Sequence, residues 1–520
     1  MKFIAHSSII SILGATYGAL PVSAGDFDLK LATPFTDHMV LQQEKPVPIW
    51  GWADAGEQVR VEFAGQSVLA STDDNGRWQV NLEPLTASSE SRTLSVSSDG
   101  NGKRIELTDV LVGEVWLGSG QSNMVMPVRN ANNGGEEAAA ARFPRVRLFK
   151  ERSGFADEAQ TTGAGEWLVC TPESVAAFSA TLFFFGRELH KELDVPIGLI
   201  VSAVGSTGIE SWISVEAQRA NPDIAPYPKV VDALRAEGAS EEMMKRYEKQ
   251  LAQWEENAKK ARAEESPLPS KPRNPAEVAQ HKNNIGGLFN GKIAPLVPYA
   301  LRGVVWYQGE NNTLPRKALY YRHHLPTLVR DWRARWDDEF PFCWVQLPNY
   351  TGTSRDWPTV REAMLETTAL PKTGLAVTID IGDAKRIHPK NKQEVGRRLA
   401  LWALGEVYGK QVPATCGPLP EKQEIRGKEI VVRFKHTNKG LIAKDGELTG
   451  FTIAGKDRQW KSATAKIEGT TVVVSSPDVR RPVAVRYAWE NLPTFNLYNG
   501  AGLPASPFRT DRWPWPATGN

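Results

Sequence analysis

The chain has 520 residues, of which 41% are hydrophobic and 23% are charged, a composition that excludes a largely disordered or fibrous protein. Its length exceeds what a single hydrophobic core usually serves, so we expect two or three domains. The 62 Lys and Arg residues are balanced by 60 Asp and Glu residues, for a formal net charge of +2; no nucleic-acid partner is expected, because no field of one sign would attract a polyanion.

The first 24 residues have the pattern of an export signal. Lys2 supplies a positive charge, the stretch from Phe3 to Leu20 is mostly apolar or small, and residues 22–24 are small enough for cleavage. A membrane anchor is the alternative, but serines and glycines interrupt the apolar run, and no later segment approaches the length of a membrane span. We therefore predict a signal peptide over residues 1–24 and a periplasmic or secreted protein.

The cysteine count argues against a protein held together by disulfides. Cys170, Cys343 and Cys416 are widely spaced and odd in number, so a disulfide framework is not expected, although one bridge remains open. The 17 Trp residues are attributed mainly to core packing, since large aromatic side chains bury much surface in any fold. Flat aromatic faces against sugar rings are the alternative role for a minority of them.

Residues 25–110 have the pattern of an all-β module. Short runs such as Val47–Trp50 and Gln58–Phe63 are separated by turn residues. In these runs apolar and polar positions alternate, which is typical of strands with one solvated face.

From residue 111 the pattern changes to that of an α/β domain. Nearly continuous apolar runs, typical of strands buried on both faces, alternate with helical stretches. The apolar runs lie at Val110–Leu117, Val195–Ala203, Leu301–Tyr307 and Leu375–Ile379, and the helical stretches at Ala177–Leu193 and Lys392–Gly409. This alternation predicts a mainly parallel sheet covered on both sides over residues 111–410.

Two further regions complete the predicted organisation. Residues from about 215 to 285 are rich in Glu, Lys, Arg and Ala, which indicates a solvated helical insertion, and we assign no chemistry to it. After Pro413 the runs Glu429–Phe434 and Thr471–Val474 are strand-like, so a C-terminal β module is predicted over residues 411–520.

Ser122 is a candidate nucleophile. It lies in Gly-Ser-Gly-Gln-Ser-Asn-Met (residues 118–124), directly after a buried apolar run. Open α/β sheets carry their sites at the carboxyl edge of the strands, where the hydroxyl would face an acyl carbon and backbone N–H groups would receive the oxyanion. The motif differs from the Gly-x-Ser-x-Gly elbow because Met124 takes the last position. A plain turn with a helix-capping serine is the alternative.

His388 is a candidate base for that serine. The chain has only eight histidines, and His388 follows the last long apolar run and directly precedes a helical stretch. A loop after a parallel strand returns to the sheet edge where Ser122 is expected, and imidazole, with an unperturbed pKa of about 6.5, can take and return a proton at neutral pH. A surface loop histidine is the alternative.

Amide side chains follow a third apolar run. Gln308, Asn311 and Asn312 lie in the turn after Val304–Tyr307, and their N–H groups are donors of the kind that an oxyanion hole needs. Amides in turns also make local hydrogen bonds, so each is ordinary by itself.

Taken together, three motifs resemble the sialate O-acetylesterase family, a branch of the SGNH (GDSL-like) hydrolases. They are Gly-Gln-Ser-Asn-Met (120–124), Trp-Tyr-Gln-Gly-Glu-Asn-Asn (306–312) and Ile-His-Pro-Lys-Asn-Lys-Gln-Glu-Val-Gly-Arg-Arg-Leu-Ala (387–400). The likeness continues at residues 39–51 and 496–510 and so covers nearly the whole mature chain.

The resemblance implies a three-layer α/β/α SGNH-hydrolase domain with a mainly parallel sheet, flanked by the two β modules. It also implies catalysis without a metal or other cofactor, with Ser122 as nucleophile and His388 as base. Gly205, within Val-Gly-Ser-Thr-Gly (204–208), matches the family's glycine block and is expected to donate its backbone N–H to the oxyanion.

The sequence departs from the superfamily pattern at two places. The position three residues before the histidine, where the superfamily has Asp, is Lys385. Asp383 is our first choice to orient His388, Asp380 is the second, and a backbone carbonyl would leave a Ser-His dyad.

The other departure is that the superfamily's Gly-x-Asn-Asp is Gly-Glu-Asn-Asn here (309–312). The side-chain oxyanion donor is therefore Gln308, Asn311 or Asn312, and we choose Gln308.

The expected function is hydrolysis of O-acetyl esters on carbohydrates through an acetyl-serine intermediate. An O-acetylated sugar or glycan is the expected partner, and sialate O-acetylesterase-like activity is the first choice. Acetyl-xylan or pectin-type polysaccharide acetylesterase activity is the alternative, because only the sugar pocket would differ. An inactive sugar-binding protein on a hydrolase scaffold is the alternative of another class.

Overall fold

The structure, a computed structural model, describes residues 28–100, 102–238, 240–264, 266, 268–269, 271–277, 284–352 and 355–514. The predicted signal peptide lies outside these residues. The described chain is a mixed α/β protein with one large mixed sheet of eleven strands and several smaller all-β sheets, as the alternation of strand-like and helical segments predicts.

The N-terminal region is built from strands. They are β1 Lys30–Leu31, β2 Val40–Gln42, β3 Val47–Trp52, β4 Gln58–Phe63, β5 Gln66–Ser71, β6 Arg77–Leu82, β7 Ser88–Ser98 and β8 Arg104–Gly120. Buried and exposed residues alternate along β4 and β6, so each strand has one face in the core and one in solvent.

Strand β8 connects this region to the α/β domain. Its first part pairs with β7 and β2, and its last seven residues pair with a later strand, Ile197–Ala203. The strand therefore runs without a break across the predicted boundary at 110/111. Its burial changes along its length, from alternating exposure at the start to continuous burial at the end, which follows the change from one covered face to two.

The central part of the large sheet is mainly parallel. Its further strands are β9 Phe143–Lys150, β10 Trp167–Cys170, β11 Ile197–Ala203, β12 Gly303–Tyr307, β13 Phe342–Val345 and β14 Thr373–Ala376. The spatial order is β10-β9-β11-β8-β12-β13-β14. All neighbours are parallel except β10 and β9.

Helices accompany this sheet. They are α1 Ser122–Val125, α2 Gly134–Ala140, α3 Pro172–Ala176, α4 Ala180–Leu193, α5 Val215–Ala220, α6 Tyr227–Gly238, α7 Glu241–Ala263, α8 Pro315–Ala318, α9 Tyr321–Trp336, α10 Trp357–Thr367 and α11 Lys392–Trp402. Short 3₁₀ turns lie at Val128–Asn130, Ile209–Ser211, Ala294–Leu296 and Asn311–Thr313, and π turns at Phe289–Ile293 and Ala403–Val407.

Both faces of the central sheet are apolar and covered. Along β12, Val304 and Trp306 join a cluster with side chains of α9 and α10. Val305 and Tyr307, which point the other way, join a cluster with side chains of α4 and α11. The continuous apolar runs in the sequence are explained by this burial on both faces.

The C-terminal region has its own apolar core, around residues such as Ile430, Val472 and Tyr487. Its strands are β15 Leu419–Arg426, β16 Glu429–Lys435, β17 Leu441–Ala443, β18 Phe451–Ala454, β19 Trp460–Ser462, β20 Thr464–Glu468, β21 Thr471–Ser475, β22 Ala484–Tyr487, β23 Leu497–Asn499 and β24 Phe508–Arg509. An ion pair of 2.7 Å between Arg509 and the buried Glu362 of α10 joins this region to the α/β domain.

None of the helices among the described residues has the length and apolar character that crossing a membrane requires. Cys170, Cys343 and Cys416 are all buried and all unpaired, so the bridge left open by the sequence is not formed.

Candidate active site

Three strand ends meet at one edge of the sheet. In the register of the parallel pairs, Ala203 at the end of β11 and Tyr307 at the end of β12 both lie opposite Gly120 at the end of β8. Gly120 has a φ of 135°, and a Cβ at this position would lie 2.2 Å from the carbonyl oxygen of Tyr307. Only glycine fits this close approach. The turns that follow the three strands therefore lie side by side.

Ser122 and His388 meet at this edge. Ser122 is the first residue of α1, directly after the turn that leaves β8, and His388 lies in the exposed loop between β14 and α11. His388 Nε2 lies 2.8 Å from Ser122 Oγ although the two residues are 266 positions apart. This distance is suited to proton transfer from the hydroxyl to the imidazole.

The surroundings of His388 favour its neutral form. Partial burial, and after it the positive charge of Lys392, lower the pKa of His388 below its ordinary value of 6.5. The imidazole is therefore unprotonated at neutral pH and free to accept a proton, as a general base requires.

The carboxylates predicted to orient His388 have other partners. Asp383 accepts hydrogen bonds from the backbone N–H groups of Lys385, at 2.9 Å, and Arg386, at 3.1 Å. Asp380 forms two hydrogen bonds, of 2.6 and 2.7 Å, with Arg398. Within the described ranges, no carboxylate is hydrogen-bonded to Nδ1 of His388. The structure thus brings Ser122 and His388 together without an Asp, and the role of Asp383 stays a prediction.

Gly205 lies beside the candidate nucleophile, in the turn after β11. A Cβ built on Gly205 would lie 3.5 Å from the Cβ of Ser122. This position next to the serine is the one that the predicted oxyanion role requires, and the role itself stays a prediction.

Gln308 is placed differently from expectation. Its side chain is fully buried, and Nε2 donates to the carbonyl oxygen of Thr207 at 3.1 Å and to Oδ1 of Asn312 at 2.6 Å. The two N–H groups of Gln308 are both used in this way, so in this conformation the residue has no donor left for an oxyanion. Asn312 is likewise fully buried, and its Nδ2 donates to Glu210 at 3.0 Å.

Asn311 is the amide that reaches the cavity beside the serine. Its Oδ1 accepts a hydrogen bond of 2.8 Å from Lys317, and its Nδ2 donates to the carbonyl oxygen of Ser206 at 3.0 Å. Because Lys317 can only donate, it fixes which end of the amide is the oxygen. Lys317 is itself held by an ion pair of 2.7 Å with Glu210, and both side chains are fully buried.

A cavity of about 240 Å³ opens in front of the serine. It is lined by Gln121, Ser122, Ser206, Leu234, Glu310, Asn311, Leu314, Arg355, Ile387 and His388. Leu234 comes from α6, within the region predicted as a solvated insertion without chemistry. This helix therefore supplies part of the cavity wall.

Three buried polar residues near the serine were not singled out by the sequence. Asn123, Glu310 and Lys392 are each at most 2% exposed. Lys392 Nζ lies 2.6 Å from Oδ1 of Asn123, and Nδ2 of Asn123 lies 2.5 Å from Glu310. One signal was present in the sequence. Lys392 begins a predicted helix, where the helix dipole disfavours a cation.

No metal centre is found in the described part of the chain, since no group of three or more His, Cys, Asp or Glu side chains is arranged to hold an ion. The arrangement that is present, a serine hydroxyl bonded to an imidazole beside N–H donors, is suited to acyl transfer.

Comparisons with known proteins point to the same class of reaction. A family model described as "Carbohydrate esterase, sialic acid-specific acetylesterase" matches residues 290–404. The sialate O-acetylesterase of Rattus norvegicus is 28% identical over 92% of this chain and 94% of its own length, and that of Homo sapiens is 28% identical over 94% and 93%.

A solved structure extends the likeness to the fold. The crystal structure of a carbohydrate acetylesterase from Xanthomonas citri is 34% identical to this chain, covers 93% of it and 100% of its own chain, and superposes with a TM-score of 0.78. The chain therefore belongs to the sialate O-acetylesterase family of carbohydrate esterases and is a carboxylic ester hydrolase.

Proposed function

We propose that the protein hydrolyses O-acetyl esters on sugars through an acetyl-serine intermediate, with Ser122 as nucleophile and His388 as general base. The observation that carries this proposal is the 2.8 Å contact between Ser122 Oγ and His388 Nε2 at the carboxyl edge of the sheet. The lowered pKa of His388 supports it, because the base must be neutral before it can take the proton.

The proposed reaction has two steps. Ser122 Oγ attacks the acetyl carbon while His388 takes its proton, and His388 then gives the proton to the departing sugar oxygen. Water, activated by the same imidazole, releases acetate and restores the serine.

For the oxyanion we propose the backbone N–H of Gly205 and, in place of Gln308, the side chain of Asn311. Asn311 lines the cavity and has one N–H beyond its bond to Ser206, whereas the N–H groups of Gln308 are both used elsewhere.

We further propose that the α/β domain has the three-layer α/β/α layout of the SGNH hydrolases. The two apolar clusters on opposite faces of the sheet, each with its own pair of helices, support this layout. The export of the protein to the periplasm or the cell exterior remains a proposal that rests on the pattern of residues 1–24.

O-acetylated sialic acid is the substrate we propose first. The names of the mammalian relatives support it, and so does Arg355, whose guanidinium is a charged group in the cavity lining that would suit a sugar carboxylate. The alternative, an acetylated polysaccharide such as xylan or pectin, is supported by the broader description of the Xanthomonas citri relative as a carbohydrate acetylesterase.

Acetate release from O-acetylated sialic acids, acetyl-xylan and acetyl-pectin tests both the activity and the substrate. We expect Ser122→Ala to abolish release from every substrate while the thermal midpoint stays close to that of the wild type. Ser119→Ala is the matched control, because this buried hydroxyl on β8 has no hydrogen-bond partner among the described residues. Full activity of Ser122→Ala would exclude the serine as nucleophile, and absence of acetate release by the wild type from the whole panel would refute the function.

A further inference from the structure

The side chain of Asn123, next to the nucleophile, is fully committed to hydrogen bonds. Its Nδ2 donates to Glu310 Oε1 at 2.5 Å and to the carbonyl oxygen of Ile387 at 3.0 Å, and its Oδ1 accepts from Lys392 Nζ at 2.6 Å. Ile387 directly precedes His388. One amide therefore joins the turn after β12, the first residue of α11 and the loop that carries the base.

The two charged partners of this amide are buried. Lys392 is fully buried, and Glu310 is 2% exposed. The Lys392 ammonium also lies 4.9 Å from the centre of the Tyr307 ring. One carboxylate oxygen of Glu310, Oε2, has no hydrogen-bond partner among the described residues. Burying such groups is costly, so their presence next to a reactive serine points to a function.

The orientation of the Asn123 amide follows from its neighbours. An ammonium group can only donate, so Lys392 must face the amide oxygen, and a carboxylate accepts, so Glu310 must face the amide nitrogen. The remaining N–H is then directed to the carbonyl of Ile387. If the Asn123 amide were flipped, its N–H groups would face the Lys392 ammonium and its oxygen would face the Glu310 carboxylate. The two charged residues thus fix the hydrogen bond that holds the loop at Ile387, directly before His388.

We propose that Lys392 and Glu310 are positioning residues that act through Asn123 to hold His388 against Ser122. The inference rests on the proposed ester hydrolysis. In a catalytic triad, an aspartate hydrogen-bonded to the imidazole keeps the base in place. Here a buried lysine, amide and carboxylate would do this instead. No carboxylate does this directly in the described chain, and the carbonyl of Ile387 is the held main-chain group directly next to His388.

Lys392 also acts on His388 by charge. Its ammonium disfavours the protonated imidazole and lowers the pKa of His388. Burial in turn lowers the pKa of Lys392 to about 7, with the Glu310 charge acting in the opposite direction. Removal of the ammonium should therefore raise the pKa of His388, so that the acid limb of the pH profile moves to higher pH.

The test is Lys392→Met in the full-length protein, with Lys390→Met as the matched control, because Lys390 is an exposed lysine of the same loop. We expect kcat to fall between about tenfold and about 100-fold with little change in KM, as for a displaced catalytic group. We also expect the acid limb of kcat/KM to move to higher pH. Lys390→Met should match the wild type in both measurements. An unchanged kcat, or a lower kcat without the shift of the acid limb, would overturn the proposal.

Glu310→Gln is the second variant, needed if Lys392→Met does not fold. It keeps an oxygen that accepts from Asn123 but removes the charge that keeps Lys392 protonated. We expect a smaller loss of kcat than in Lys392→Met and a shift of the acid limb in the same direction. A folded Glu310→Gln with the wild-type acid limb would refute the role of the charge. Failure of the proposed function is a different result, since it would appear as an inactive wild type or an active Ser122→Ala.

Discussion

Two buried lysines border the proposed site, and their carboxylate partners are arranged differently. Lys317 makes a direct ion pair of 2.7 Å with Glu210, and both are fully buried. Lys392 and Glu310 are separated by the amide of Asn123. In the first pair burial acts to raise the pKa of Glu210, but Lys317 and its other partners lower it overall. In the second, burial raises the pKa of Glu310 and lowers that of Lys392 to about 7.

The difference follows from distance. The attraction between two charges falls as they separate, whereas the cost of burial applies to each charge by itself. The Glu210 carboxylate in direct contact with Lys317 is therefore held ionised, while the two groups joined through an amide are both shifted toward their neutral forms. The first pair acts as a fixed support for Asn311, whereas in the second the lowered pKa of Lys392, about 7, lies close to neutral pH.

The largest expected effect is the loss of folding free energy when the direct Lys317–Glu210 pair is broken. Lys317→Met leaves the Glu210 carboxylate buried without its cation, and the removal of one partner of a buried pair costs about 3 to 5 kcal/mol of folding free energy. Lys392→Met should cost less, because Glu310, with its raised pKa, can take up a proton. Urea denaturation followed by Trp fluorescence compares the two. Equal losses would show that the contact distance does not distinguish the pairs.

The next effect concerns the amide that Lys317 orients. Asn311→Ala should lower kcat about 100-fold to about 1,000-fold, as the removal of one oxyanion donor does, with a smaller change in KM. Gln308→Ala is the comparison, because the hydrogen bonds of Gln308 support the local structure. Loss of this side chain should lower the thermal midpoint and change kcat less than Asn311→Ala does. If folded Gln308→Ala lost kcat while Asn311→Ala kept it, Gln308 would be the donor, as the sequence suggested.

The smallest effect is expected at Asp383. In Asp383→Asn the side-chain oxygen can still accept from the backbone N–H groups of Lys385 and Arg386, so steady-state kcat should stay near the wild-type value. That result would leave the buried lysine, amide and carboxylate as the support of His388. A fall in kcat by orders of magnitude with unchanged KM would instead make Asp383 the orienting carboxylate of a triad.

The sequence predicted the elements of this fold that depend on hydrophobic pattern. Continuous apolar runs marked β8, β11 and β12, and strands buried on both faces must end at a common edge in a parallel sheet. The positions of Ser122 and His388 follow from that rule, which is why the sequence alone predicts that two residues so far apart in the chain lie together.

The supporting polar contacts could not be predicted in the same way. Whether a carboxylate such as Asp383 faces an imidazole or a backbone N–H depends on a few torsions of the loop, which spacing does not determine. Glu and Lys are residue types that usually lie at the surface. Only the packed structure shows that Glu310 and Lys392 are buried. The place of Leu234 in the cavity wall could not be predicted for a similar reason. One apolar residue in a charged helical region is ordinary, and its contact with the cavity depends on tertiary structure.

The long strand β8 limits how this protein can be divided. Its 17 residues extend at most roughly 56 Å at about 3.3 Å per residue, from the N-terminal sheets to the turn that carries the nucleophile. A cut at 110/111, where the composition changes, would sever the strand and separate residues 111–113 from their partner strand β2, while residues 114–120 would keep their pairing with β11. The N-terminal region is therefore joined to the α/β domain by strand pairing that continues past the boundary, and it is not an accessory that recombination could exchange at that point.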